Sequence, residues 1–483
     1  MATTPSRRSL HPGPLTRLAA LAIAAFAVVT PGAAITFTVN SIVDIPDSFP
    51  GNGICETASG TGVCTLRAAV QEANADGGAD QIVLQPNTTY LLTRAGADNT
   101  ALNGDLDITD NVTIVGGGAT TVVDGNGAVT QDRVFEVPSG CIDNMGFPPN
   151  CLDGVLVVTL SSLTVQHGRA VSTGGGIGNL GNLTVENCVI KDNALTGATT
   201  YGGGIESLGS LTLTNSIVAY NIAGGDGMGA GVYTAGPLTI DGTSFTGNQG
   251  AGYGGGLGVY GASFKALVRN STFDGNGAAL GGGIFNDGTE LTLVNSTVSG
   301  NNSDGAGGGV YAKAGTTGLY NVTVANNRAN ADGLNGGDGG GVQNLAASTF
   351  LLSSTIVAGN DELHVENRGD PPTLKSDDCS GPFQAQAANL FEHVDTGHCS
   401  IAGPYTIAQA KLGPLQDNGG ENATHALLAG SAAIDTGATC PDKIGAALSA
   451  DQRGVARPQG VACDIGAFEL ADLVFADDFD PGT

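Results

Sequence analysis

The chain has 483 residues, 78 of them glycine, and a net charge of −27 carried by only 13% charged positions. The glycines keep no every-third-residue spacing, which excludes collagen, and the low charge density excludes a disordered polyelectrolyte. The acidic balance excludes nucleic acid and anionic membrane as partners and leaves cations and neutral glycans.

Residues 1–34 read as an export signal. Arg7, Arg8 and Arg17 precede an apolar run from Leu18 to Val29, and Pro31-Gly32-Ala33-Ala34 supplies the small residues that cleavage needs, expected after Ala34. Leu10-His11-Pro12 after the Arg pair fits a twin-arginine route poorly, so the general route is expected. No later stretch reaches the roughly 20 apolar residues of a membrane span. A secreted or surface-attached monomer without a transmembrane segment is expected. Nine cysteines in an exported chain point to disulfides. Spacing suggests Cys55–Cys64, Cys141–Cys151, Cys379–Cys399 and Cys440–Cys463, with other connectivities open. Cys188 is left over, at the register of Ser216, Ser271 and Ser296, and reads as a packed thiol.

Residues 35–80 read as an N-terminal cap. Within them Thr65 to Ala75 predicts a helix with Leu66, Ala69, Val70 and Ala73 on its buried face and Arg67, Gln71 and Glu72 turned away. Strand runs at Asp107-Ile108-Thr109, Val112–Val115 and Thr121–Val123 look like irregular first coils.

From there a repeat takes over. An apolar residue, two others and Asn recur at Ile190/Asn193, Val218/Asn221, Phe245/Asn248, Phe273/Asn276, Val298/Asn301, Val324/Asn327 and Val357/Asn360. A glycine-rich phrase ending in Ile177, Ile205, Val232, Leu257, Ile284, Val310 and Val342 keeps the same beat. Asn-to-Asn intervals of 28, 27, 28, 25, 26 and 33 mean a stacked solenoid. Alternating runs such as Leu211-Thr212-Leu213-Thr214 say strand, and Gly and Asn supply the turns between strands. Three short strands per period predict an all-β, right-handed parallel β-helix over residues 81–390. Roughly ten to twelve coils would make a rod about 50 Å long at the strand spacing. The recurrent Asn side chains are expected to bond from coil to coil. Residues 391–470 lose the beat and are the candidate C-terminal cap, followed by an acidic tail, 471–483.

Both ends resemble known families. Cys64-Thr65-Leu66-Arg67-Ala68-Ala69-Val70, with Ala73-Asn74 and Asp80-Gln81-Ile82, resembles the CSLREA motif domain of bacterial surface proteins, with Thr65 and Ala68 in place of the family's Ser and Glu. Leu412 to Gly420, Thr424-His425-Ala426-Leu427, Asp451-Gln452-Arg453-Gly454, Arg457-Pro458 and Cys463 to Glu469 resemble the choice-of-anchor Q domain. The repeats are similar to those of polymorphic outer-membrane proteins. The resemblance implies a location, secreted or on the cell surface, more than a chemistry. The tail from Leu473 to Asp480 looks somewhat like acidic-aromatic sorting tails.

No catalytic residues are assigned. Polysaccharide cleavage needs clustered carboxylates or a carboxylate with a base on neighbouring coils. Lys191 and Asp274 share a column but stand three coils apart, and the next column holds little charge. His167-Gly168 reads as a turn. The Asp-Gly pairs at Asp226, Asp274, Asp287, Asp304, Asp332 and Asp338 can in principle hold Ca²⁺ but read as turns, so no cofactor is expected. His393, His398, Cys379 and Cys399 read as a disulfide with loop histidines rather than zinc ligands. Arg368-Gly369-Asp370 reads as a chance tripeptide. One outward column, Gly178, Glu206, Tyr233, Gly258, Phe285, Tyr311 and Gln343, with Tyr260 beside it, offers aromatics for stacking on sugar rings. The reading is therefore a non-enzymatic adhesin or surface/glycan-interaction protein. An extracellular polysaccharide lyase or glycoside hydrolase, and a structural coat rod, are the alternatives.

Overall fold

Apart from Met1, the computed structural model describes residues 33–138, 156–334, 336–364, 371–443 and 445–471. The leader (residues 2–32), the Cys141–Cys151 pair, Arg368-Gly369-Asp370 and the acidic tail lie outside the described residues.

The chain folds as a right-handed parallel β-helix. One coil shows how the sequence builds it. Ile177–Asn179 and Asn182–Glu186 lie end to end in a long sheet, Asn187 turns the corner, Val189–Lys191 enters a second sheet, and Ala194–Leu195 enters a third. Both corners need left-handed backbone, which Asn and Gly adopt at least cost. Asn187, Asn215, Asn270, Asn295 and Asn321 take φ of 45 to 56° at the first corner. The second corner uses Asp192, Tyr220, Gly247, Gly275, Gly300, Asn326 and Gly359. Among the described residues the second sheet has twelve strands, one per coil.

Stacking is in register, so like residues lie over like. Ile177, Ile205, Val232, Leu257, Ile284, Val310 and Val342 pair in succession. Ile190, Val218, Phe245, Phe273, Val298, Val324 and Val357 do the same. All are fully buried, and Phe245 and Phe273 stack with centroids 4.4 Å apart. The last glycine of each Gly phrase leaves no room for a side chain. A Cβ on Gly204 would stand 2.6 Å from the Gly231 carbonyl and 3.0 Å from the Asn221 side chain.

Helix α1 (Leu66–Ala75) covers the N-terminal end, with the Thr65 hydroxyl accepting from the Ala68 N–H at its start. Its apolar face is buried as expected. Arg67, Gln71 and Glu72, expected to face solvent, are buried too. The cause is distant chain wrapped over the polar face. Arg67 Nη atoms donate to the carbonyls of Ala101, Gly104 and Asp105, and its Nε pairs with Asp44 at 2.5 Å. Gln71 accepts from the Asp47 N–H, and Glu72 accepts from those of Gly51 and Gly53. Disulfides Cys55–Cys64, Cys379–Cys399 and Cys440–Cys463 are formed, and Cys188 is a buried free thiol.

The beat survives residue 391 by one coil: Cys399–Ala402 and Thr406–Ile407 still pair in parallel. Residues 412–470 then run back along the flank of the second sheet. Thr272 Oγ1 donates to the Ala423 carbonyl, Thr297 Oγ1 to Gln452 Oε1, and Thr323 Oγ1 accepts from the Ala467 N–H. The outward column of that sheet is therefore buried at Thr272, Thr297, Thr323 and Ile356, while Ile217, upstream of the cover, is 45% exposed.

Candidate functional site

The seven repeat asparagines form a continuous internal ladder. Each Nδ2 donates to the Oδ1 of the next: Asn193 to Asn221, then Asn248, Asn276, Asn301, Asn327 and Asn360, at 2.9 to 3.0 Å. From Asn221 onward each Oδ1 also accepts the backbone N–H of the preceding Asn, as Asn248 does from Asn221 at 3.1 Å, and Asn193 Oδ1 accepts the Gly168 N–H. The ladder is sealed from solvent and is structural.

The aromatic column lies where the register predicts, but it does not offer its faces to a ligand. Tyr233, Phe285 and Tyr311 are 7%, 1% and 7% exposed. Met228, Tyr253 and Leu280, from the turns between coils, pack over them. Phe285 and Tyr311 stack at 5.4 Å, and Tyr201 lies 4.8 Å from Tyr233. Gly258 interrupts the column because Met228 occupies the space: a Cβ there would meet Met228 Cγ at 2.5 Å. Of the four proposed stacking residues, Tyr260 alone is exposed.

Two histidine arrangements look catalytic and are not equal. His425 Nδ1 is 2.7 Å from the Gly413 carbonyl and must donate to it, so Nε2 accepts from Ser299 Oγ at 2.8 Å. Both residues are buried, and burial pulls His425 below the usual histidine range. This pair fastens the returning segment to the rod. His167 occupies the left-handed corner and holds Asp124 at 2.9 Å in an open cleft near Arg169 and Asp192. Desolvation raises Asp124, but hydrogen bonds from Gln166, His167 and Asn126 outweigh it and hold the carboxyl below its usual value. Such an acid stays ionised, so it lacks the proton a glycosidic general acid needs. The Cys379–Cys399 disulfide removes both thiols from any zinc set. Lys191 pairs with its neighbour Asp192 at 3.5 Å.

Two features were not singled out from the sequence. The first is a cleft of about 930 Å³ between the outer face of the long sheet and the returning segment. Lys265 and Arg269 rise from one wall, and Lys443 and Arg453 from the other. Asp241, Glu421, Asp442 and Asp451 balance them, and Asn215, Asn270, Asn295 and Gln452 add amides. Glu290 bridges Lys265 and Lys443, while Arg269 is exposed and has no ion pair among the described residues. No single repeat contains this site; it appears only because the C-terminal segment doubles back.

The second is a carboxylate cluster at the N-terminal end, Asp105, Asp107 and Glu136, with Asp132 and Arg133 beside it. Its members come from two successive coils, so no local motif announces it.

Residues 151–329 match the family model described as a right handed beta helix region. No curated protein matches the sequence. Among solved structures, the crystal structure of pectate lyase Pel9A is similar at 13% identity, covering 91% of this chain and 97% of that chain, with a TM-score of 0.38. A likeness that distant carries nothing about activity. Over residues 151–329, then, the chain is similar to right-handed β-helix proteins.

Proposed function

We propose that this is an exported, surface-acting β-helix protein that binds a neutral glycan, without cleaving it, in the cleft between the rod and the returning segment. The observation that carries the reading is the charge balance of that cleft. In a chain of net charge −27 its walls carry four cations against four acids and the bridging Glu290, interleaved with amides. Sugar hydroxyls both donate and accept, and such a mixed polar lining meets both needs. A polyanion, by contrast, would be repelled by the protein as a whole.

The test is a glycan-array screen of the purified protein, with product release assayed on the same polysaccharides. Saturable binding to neutral glycans, weakened at least tenfold in Arg269→Ala and Lys265→Ala, is the expected result. Both side chains are exposed, so folding is spared. Release of unsaturated or reducing ends would put the lyase or hydrolase reading in its place. A blank array would leave the coat rod.

A further inference from the structure

The carboxylate cluster is a built site rather than a chance gathering of surface acids. One oxygen each of Asp105, Asp107 and Glu136 lies within 4.8 Å of the others. Oxygens sharing one calcium at its usual 2.3–2.6 Å stand at most about 4.6–5.2 Å apart. Asp105 and Asp107 are each 1% exposed. The loop before them is fixed by bonds beyond the cluster's own carboxylates. Asp98 accepts from the N–H groups of Thr100, Leu102 and Asn103, and Arg67 grips the carbonyls of Ala101, Gly104 and Asp105.

The independent sign of a missing ligand is a set of stranded oxygens. Among the described residues, Asp105 Oδ2 and Asp132 Oδ2 are enclosed without a hydrogen-bond partner. Asp132 is 9% exposed and belongs to a different coil; its Oδ2 stands 2.4 Å from where a Cβ on Gly104 would be. Buried carboxylate oxygens without partners are costly, and native structures keep few of them. Arg133 does not relieve this. Its Nε is 3.8 Å from Asp105 Oδ2 and itself makes no hydrogen bond, while Nη1 is engaged with Glu136 Oε2 at 3.3 Å. Asp107 Oδ2 accepts the Ala101 N–H, and Oδ1 has no hydrogen bond among the described residues. Asp98 adds further negative charge nearby.

We propose that Asp105, Asp107 and Glu136, with Asp132 behind Gly104, bind one calcium ion that locks the first coils of the β-helix. The donors are all hard oxygens, which selects Ca²⁺ over transition metals. Their arrangement in a preformed, crowded pocket disfavours Mg²⁺, which keeps several waters.

The test uses the purified protein stripped with EDTA and dialysed, then titrated by calorimetry with CaCl₂ and separately with MgCl₂, and melted with and without CaCl₂. One ion per chain, a dissociation constant of about 1 mM or tighter, and a higher Tm are expected. Asp105 is buried in the loop that Arg67 grips, so Asp132→Asn and Glu136→Gln, checked by circular dichroism, are the working variants. Each should weaken binding at least tenfold. Asp338→Asn, in the separate acidic group with Glu362 and Asp377, should leave it unchanged. Absence of heat and of a Tm shift overturns the proposal. So does unchanged affinity in both working variants, loss of binding in Asp338→Asn alone, or equal affinity for Mg²⁺.

Discussion

The asparagine ladder ends on an aspartate: Asn360 Nδ2 donates to Asp378 Oδ1 at 2.9 Å, and the Asn360 N–H donates to the same oxygen at 3.1 Å. Asp378 Oδ2 accepts the N–H groups of Glu392 and His393 at 3.1 and 2.7 Å. A side chain that only accepts can therefore close a ladder whose every other member both donates and accepts. Asp378→Asn should still receive Asn360 but would turn an NH₂ toward two N–H donors. A loss of about 1–3 kcal/mol is expected in urea unfolding, from buried donors left without an acceptor. Unchanged stability would mean the carboxylate is not what ends the ladder.

Inside the ladder the same logic predicts different failures for two substitutions at Asn276. Alanine removes the acceptor of both the Asn248 side chain and the Asn248 N–H. The N–H loses its bond, at a cost of about 1–3 kcal/mol, while Asn248 Nδ2 keeps the Val218 carbonyl. Aspartate keeps the acceptor but points an oxygen at the Phe245 carbonyl and Asn301 Oδ1. Asn276→Asp should then be the worse variant at neutral pH and recover in acid, when the carboxyl can donate. Urea midpoints at pH 5 and 8 separate the two.

These columns were legible because stacking repeats each environment at a fixed interval, so Asn193 through Asn360 announce themselves. Three things escaped. Arg67, Gln71 and Glu72 look like a solvated helix face, because the loops that cover them come from residues 44–53 and 101–105. Tyr233, Phe285 and Tyr311 fall on the column that the register predicts, but their cover, Met228, Tyr253 and Leu280, sits in turns without strand alternation. Thr272, Thr297 and Thr323 look no different from Ser244, yet they hold the returning segment. The first and third are contacts between the repeat or its cap and distant chain; the second lies within the repeat, from the residue just before each Gly phrase.

Buried acids set the pH response. Burial is the largest influence raising Glu72 and Asp377, each to about 7, and Asp378 to about 6. Their folded values exceed the ordinary 4.5 and 3.8, so between those limits the folded chain holds more protons than the unfolded one. Stability then falls as pH rises through this window and levels off above it. His425, held low, acts in the opposite sense below pH 6.5, but Glu206, raised to about 7 by burial, joins the three acids. In EDTA buffer, calorimetry should give a Tm higher at pH 5 than at pH 8. Glu72→Gln should flatten the slope. A Tm that climbs with pH would contradict the burial argument.

Arg67 tests whether the cap depends on guanidinium geometry or on charge alone. The side chain serves three carbonyls and the Asp44 carboxylate at once, from a fully buried position. Lysine brings the same charge with three donors on one atom, and it cannot span those acceptors. Arg67→Lys should lose about 3 kcal/mol or more, close to Arg67→Ala, because either leaves buried acceptors unserved. Urea unfolding of the two variants decides it. A lysine variant near wild type would show that charge alone holds the loop.

The aromatic column yields the last prediction, since it divides binding from packing. Tyr311 stacks on Phe285 beneath Tyr253 and Leu280, so Tyr311→Ala removes a buried ring and leaves a cavity. A loss of about 3 kcal/mol is expected. Tyr260 is half exposed, and Tyr260→Ala should leave stability within about 0.5 kcal/mol. If glycan binding depends on the cleft, neither variant changes affinity under conditions where it is folded. A Tyr260→Ala variant that is fully stable yet no longer binds would move the glycan from the cleft to the outer face of the coil. The cleft variants Arg269→Ala and Lys265→Ala would then bind as well as the parent.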